Sequence, residues 1–210
     1  MKQQVTTKKG FILLVKASFM HDLVIAAIGR LIELNEEEKI FIKTIFKEKS
    51  VKKEEFFLRE GVVCREVGFI IKGMVRYYIN KGGEEKIYGF GKEGDFVCNN
   101  ESFLSRQPSS KNIQYIEDGV LLMLSYDNLQ LFYKKVRGGE RFGRLIGEYL
   151  FVEALRQITS LYTDSAEERY LNFLQLYPGL QQRIPQYFIS SFVGVKPQSL
   201  SRIRKRLSIN

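Results

Sequence analysis

Residues 184–207 read IPQYFISSFVGVKPQSLSRIRKRL. With Gln186 as the first residue of a two-helix unit, Gly194 falls in the turn between the helices. The chain must reverse there in a few residues, and a glycine takes a positive φ without strain. Ile189, Val193, Val195, Leu200 and Ile203 fall where two such helices bury apolar side chains against each other. Ser190 supplies the small residue where the helices approach closely. Pro185 and Pro197 suit first helical turns, because the N–H each lacks would be unpaired there in any case. The second helix then presents Gln198, Ser199, Ser201, Arg202, Arg204, Lys205 and Arg206. This is the layout of a helix-turn-helix, in which amide and guanidinium groups read base edges and cations meet phosphates.

A short amphipathic hairpin with a solvated basic face is the plainer alternative. Two features weigh against it. The apolar and turn positions fit one register. From Arg169 to Asn210 there are also seven Lys or Arg residues and no Asp or Glu, so this segment carries +7 of the net +9. A pI near 9.4 already suggests an acidic partner. The clustering points to a dedicated binding element rather than general surface basicity.

The 210 residues suffice for one large or two small domains, and a 44% hydrophobic share suits a globular core. Cys64 and Cys98 make no disulfide framework, and with His21 as the single histidine they make no metal site. Buried free thiols in a reducing cytoplasm are the default, with a disulfide between the two left open. No apolar run approaches the ~20 residues of a membrane span. Lys8 and Lys9 followed by FILLVKASFM resemble a signal sequence superficially, but Lys16 interrupts the run and no small-residue cleavage site follows. Met20 offers a second translation start, which would make residues 1–19 a mis-assigned extension.

Residues 20–47 read as helical, with Asn35 capping a second short helix and Glu36–Glu38 at its positive end. Residues 50–125 change character. Strand-like pieces at Phe56–Leu58, Val67–Ile71, Met74–Ile79, Lys86–Phe90, Asn112–Ile116 and Val120–Leu124 alternate with glycines, which predicts an all-β barrel or sandwich. A short helix is expected over 126–136 and a long one over 138–162. The long helix is apolar on more than one side, which predicts its own β-domain on one side and a partner subunit on the other. Burial within one chain is the simpler alternative. Ser165–Glu168 forms a capping box that starts the next helix, and Pro178-Gly179 stops it near Tyr177.

This order resembles the Crp/Fnr family of bacterial transcription regulators over about residues 25–207. The resemblance is carried by FFLREGVVCREVGFIIKGMVRYYINKGGEE (56–85), GFGKEGDFV (89–97) and VGVKPQSLSRIRKRL (193–207). The KPQSLSRIRKRL form is similar to the Bacteroidetes branch. The resemblance implies an α+β fold: an N-terminal double-stranded β-roll of the cyclic nucleotide-binding, jelly-roll type with flanking helices, a long dimerisation helix, and a C-terminal helix-turn-helix. It implies an N-terminal extension over 1–24, an effector domain over 25–137, a dimerisation helix over 138–163 and a DNA-binding domain over 164–210. The wing that larger relatives carry is expected to be reduced, since Leu180–Ile184 leaves little room for it.

The family's cyclic-nucleotide cassette places a Gly-Glu pair about a dozen residues before an Arg-Ser pair. Here the region reads GDFVCNNESFLSRQPSSKNIQY (94–115), with Asn99, Asn100 and Glu101 near the first pair and Ser110 and Lys111 near the second. A lysine point charge does not replace a bidentate arginine fork. The effector pocket is therefore assigned to Asn99, Asn100, Glu101, Ser110, Lys111 and Tyr88, with an unknown small-molecule effector and without cyclic AMP. Two cysteines are too few for the family's iron–sulfur sensors, and His21 lies outside the roll, so no cofactor is expected.

The implied function is that of a homodimeric transcription regulator with no catalytic residues. Gln198, Ser199 and Arg202 would read bases, while Lys196, Ser201, Lys205 and Arg206 would mainly meet phosphates. Phe142, Ile146, Tyr149, Leu155 and Ile158 would form the dimer interface. The expected partners are a palindromic DNA operator, a second copy of the chain, RNA polymerase and the effector, with no membrane. A cupin-type enzyme would need two or three histidine ligands, which the chain lacks. A signalling module that keeps the roll without binding DNA is the remaining alternative.

Overall fold

The computed structural model describes residues 19–207. Residues 1–18, with most of the signal-like stretch, lie outside the described residues; residues 19–24, expected to belong to an extension, are helical, and Met20 and Val24 are buried in the core, so the fold starts before residue 25. The elements in chain order are α1 (residues 19–29), α2 (Glu36–Ile45), β1 (Lys47–Val51), β2 (Phe56–Leu58), β3 (Glu66–Lys72), β4 (Val75–Lys81), β5 (Glu84–Gly91), β6 (Phe96–Val97), α3 (Asn100–Ser105), β7 (Asn112–Tyr115) and β8 (Gly119–Ser125), followed by α4 (Tyr126–Lys135), α5 (Gly139–Thr163), α6 (Ala166–Leu176), a 3-10 turn (Leu180–Gln182), α7 (Gln186–Val193) and α8 (Pro197–Leu207). The strands form two four-stranded sheets, in the orders β1-β8-β3-β6 and β2-β7-β4-β5.

By contacts the chain divides into two units, one of residues up to Val75 with Gly91–Ile146, the other of Arg76–Phe90 with the chain from Gly147. In the first unit β8 is the central strand, antiparallel to β1 (Lys47 opposite Met123) and to β3 (Gly68 opposite Met123). Its sequence GVLLMLS is apolar almost throughout, and Leu121–Leu124 are all buried. The two-residue period of a strand sends Leu122 and Leu124 to one face, with Phe69 of β3. There they share a core with Val24 and Ile28 of α1, Ile42 and Ile45 of α2, and Phe132 of α4. Asn35 and Glu38 start α2 with a reciprocal capping box, as the sequence predicts. The backbone N–H of Asn35, then that of Arg137, donate to the Glu38 carboxylate and hold it below the usual carboxylate range.

Three elements escape the sequence reading. Strand β1 carries charge at Lys47, Glu48 and Lys49, and four of its five residues are exposed, so it shows no apolar alternation. Strand β6 has two residues. Helix α3 stands inside the segment taken for an effector cassette.

Phe142 corrects the expected subunit seam. It is 8% exposed and belongs to the first unit's core, edge-on to Phe96 at 6.0 Å and to Phe132 at 5.6 Å. Ile146 packs against the same core. Helical period shows that a residue is apolar, not which surface covers it. The start of α5 is pressed onto α4 at Gly139, where a Cβ would meet the Phe132 carbonyl oxygen at 2.7 Å. Only glycine allows that approach.

The second unit builds its core from Tyr170 and Phe173 of α6, Leu180, Ile184, Phe188, Ile189 and Val193 of α7, and Leu200 and Ile203 of α8. Ser165 and Glu168 form the predicted capping box at the head of α6. The β4–β5 pair is part of this unit. Phe90 of β5 joins Phe173, Tyr177 and Phe192 in a cluster whose ring centroids all lie 5.5–6.1 Å apart. Aromatic pairs of this geometry add ~0.5–1.5 kcal/mol each beyond area burial. The Phe90 N–H donates to the Tyr177 hydroxyl at 3.3 Å. Among the described residues from 164 onward there is no strand.

Candidate nucleic-acid interface

The interface is assembled from α7, the turn after it, and α8. Gln186 is the first residue of α7, and Pro185 is its N-cap with extended ψ, one position earlier than a first-turn placement. The helix ends at Gly194, whose φ of 76° is left-handed. The Val195 N–H donates to the Ser190 carbonyl at 2.9 Å, and the Gly194 N–H donates to the Ser191 carbonyl at 3.2 Å. These two bonds make a Schellman motif, which satisfies the last carbonyls of α7 and sets the exit direction of the chain. A Cβ on Gly194 would meet only an Arg169 nitrogen, at 3.9 Å, so backbone conformation alone demands the glycine. Gly194→Ala is expected to lower unfolding stability by ~1–2 kcal/mol, the cost of left-handed backbone for a residue with a Cβ. Denaturant titration of both proteins checks it.

Lys196 accepts from the Ser199 and Leu200 N–H groups, so α8 opens with Pro197 in its first turn. Leu200 and Ile203 are buried, and they fix the rotation of α8 about its axis. That rotation leaves Lys196, Gln198, Ser199, Ser201, Arg202, Lys205 and Arg206 exposed. Gln198 and Arg202 stand one turn apart, on one face.

Two arginines have other engagements. Arg206 donates to the Glu167 carboxylate of α6 at 2.8 Å, so part of its charge is already answered. Arg169 donates from Nε to the Val193 carbonyl at 2.8 Å and from Nη1 to the Asp164 carbonyl at 2.6 Å. It ties the head of α6 to the negative end of α7, a structural task for a residue whose charge the sequence reading counted toward the basic cluster.

Residues of α7 also hold the β4–β5 pair. Ser191 Oγ accepts from the Ile87 N–H at 3.0 Å and donates to the Glu85 carbonyl at 2.9 Å. Arg76 of β4, 7% exposed, forms a two-pronged pair with Glu85 and lies over the rings of Tyr78 at 4.3 Å and Phe188 at 4.5 Å. Ser191 carries no signal in the sequence, because its partners lie about a hundred residues away.

The proposed effector residues are dispersed in role. Asn99 is buried and caps α3, accepting from the Ser102 N–H at 3.3 Å and donating to Ser109 Oγ at 2.6 Å. Ser109, which sequence reading passed over, is the buried hub. Its hydroxyl accepts from the Lys111 N–H at 2.9 Å and donates to the Lys111 carbonyl at 2.7 Å. Ser110 and Asn100 are exposed. Lys111 Nζ bonds Glu101 at 2.8 Å, and this lysine holds the carboxyl below its usual range. Tyr88 of β5 packs on Tyr77, ring centroids 5.9 Å apart. Among the described residues no group of three His, Cys, Asp or Glu side chains could hold a metal ion, and no helix is long and apolar enough to cross a membrane.

Residues 48–135 match the family of cyclic nucleotide-binding domains. A search of curated protein sequences finds no match. Among solved structures, the chain is similar to FixK2 from Bradyrhizobium japonicum, at 19% identity over 79% of this chain and 85% of that one, with a TM-score of 0.67. It is similar to a protein described as a Crp/Fnr-family transcriptional regulator from Eubacterium rectale, at 16% identity over 84% and 85%, TM-score 0.63. It is also similar to the catabolite activator protein of Thermus thermophilus, at 18% identity over 87% and 86%, TM-score 0.56. At these identities the likeness is one of fold. It spans most of both chains in each case.

Proposed function

We propose that this chain is a homodimeric, sequence-specific DNA-binding transcription regulator of the Crp/Fnr type, with α7 and α8 as its helix-turn-helix. The observation that carries the reading is the exposed face of α8, on which Gln198, Ser199 and Arg202 stand beside Lys196 and Lys205. No acid occurs anywhere after Glu168. A buried aliphatic seam and a glycine turn hold this helix rigidly, as a groove-reading element requires. The similar structures include a protein described as a regulator of that type, and the shared fold supports the same reading here. Selection of duplexes from a random pool, followed by gel shift of the enriched sequences, tests it. A palindromic consensus is expected. A chain that enriches nothing above nonspecific binding is instead a signalling module built on the same roll.

The effector domain is proposed to work without cyclic AMP. Its roll is of the cyclic nucleotide-binding kind, but the charged groups that stand where the cassette would be answer each other. Lys111 is paired with Glu101, and Asn99 is committed to capping α3. Cyclic AMP is therefore expected to bind more weakly than ~10 μM, about 7 kcal/mol of binding free energy, and to leave DNA affinity unchanged. Titration calorimetry yielding a tighter constant would overturn this part.

A further inference from the structure

We propose that Cys64 and Cys98 form a reversible oxidation site, converted by a hydroperoxide to a disulfide within one chain. Their Sγ atoms lie 3.8 Å apart. Both thiols are free. Cys64, 2% exposed, sits just before β3, and Cys98 stands between β6 and the N-cap of α3. A disulfide bond is about 2.05 Å long, so the sulfurs must close by about 1.8 Å.

The environment separates the roles of the two thiols. The Cys98 S–H bonded to Cys64 holds the Cys64 thiol down to about 7, against the opposing effect of its burial, with the Asn99 backbone N–H assisting. That same bond, together with burial, pushes Cys98 up. On that basis the proposal gives Cys64 the attacking role and Cys98 the resolving role. The Cys64 backbone N–H donates to Ser102 Oγ at 2.9 Å, and that hydroxyl donates on to the Gln107 carbonyl at 2.5 Å.

In the reaction, the Cys64 thiolate attacks one peroxide oxygen. The O–O bond breaks, and the leaving oxygen takes up the proton that Cys64 gave up, departing as water from hydrogen peroxide or as an alcohol from an organic hydroperoxide. Cys64 is left as a sulfenic acid. The Cys98 sulfur then attacks the Cys64 sulfur, the S–O bond breaks, and the hydroxide leaves with the Cys98 proton as water. Two electrons pass from the dithiol to the peroxide. A dithiol reductant returns the pair by exchange.

The test uses the reduced full-length protein and one equivalent of hydrogen peroxide. Peptide mapping is expected to show a Cys64–Cys98 cross-link and an intact mass lower by two hydrogens. Both thiols should disappear together and return with dithiothreitol. Cys98→Ser should accumulate a Cys64 sulfenic acid that dimedone traps. Cys64→Ala should leave Cys98 unmodified at the same dose. Cross-links between chains, irreversible over-oxidation of wild type, or two thiols that survive the peroxide would overturn the proposal. The wild-type mapping decides the matter even where a substitution at buried Cys64 disturbs folding.

Discussion

Ile158→Asp is expected to convert a dimer at micromolar concentration into a monomer, and to abolish tight operator binding with it. Ile158 is 52% exposed, in the C-terminal third of α5. Phe151, Leu155 and Tyr162 stand on the same stripe, at the i, i+4, i+7 and i+11 spacing of one helix face, and Tyr162 is 87% exposed. These exposed apolar side chains are what pairing in the proposed dimer would cover. Burying a side chain of the Leu or Phe class contributes ~1.5–3 kcal/mol. Two-fold pairing of α5 would bury every member of the stripe twice, and would also supply the two-fold reader that a palindrome requires. An aspartate there places two carboxylates opposite each other in a dry seam, where each loses its water with no opposite charge to answer it. Each half-site is then held alone, and the gain from linking two binding events is lost. Sedimentation equilibrium of wild type and variant is the measurement. A wild-type protein that is monomeric at micromolar concentration defeats the dimer reading outright.

What was legible in the sequence is what closes over a few residues. The Asn35–Glu38 and Ser165–Glu168 boxes each span one helical turn, and the Gly194 turn follows from an aliphatic pattern on either side of it. Residue types alone carry those signals. What was not legible depends on neighbours far along the chain. Phe142 has the same helical phase as a seam residue, but α4 and β6 cover it. Asn99 looked like a ligand-binding amide, whereas Ser109, ten residues on, turns it into part of a buried network. Strand β1 is charged because it is an edge strand, where lysines and glutamates discourage pairing with other chains. Arg206 counted as a phosphate ligand by position, yet Glu167 lies within reach across the second unit. The alternation of β3 and β8 fell between these cases: it showed strands, but not that Leu121 and Leu122 are buried on opposite faces of one sheet.

Arg202→Ala is expected to reduce operator affinity by ~1–3 kcal/mol, about 5- to 150-fold, and to relax preference at one base position in each half-site. The rotation of α8 about its axis sets this expectation. Leu200 and Ile203 are buried, so the face bearing Gln198 and Arg202 points away from the core. Placed in a major groove, a guanidinium there forms a bidentate pair with a guanine, and the Gln198 amide can address an adenine. Lys205→Ala should act differently. A lost phosphate contact weakens binding to all sequences alike and lowers the slope of log affinity against log salt by about 0.9. Arg206→Ala should have a smaller effect of the same kind, because its pair with Glu167 must be given up before a phosphate is met, although such a surface pair is worth only ~0–1 kcal/mol. The half-sites should lie ~34 Å apart centre to centre, or a multiple of that. Binding profiles of wild type and the three variants at two salt concentrations separate these outcomes. If Arg202→Ala leaves the base preference intact while Lys205→Ala alters it, α8 enters the groove in another rotation, and Lys205 rather than Arg202 is the residue that reads sequence.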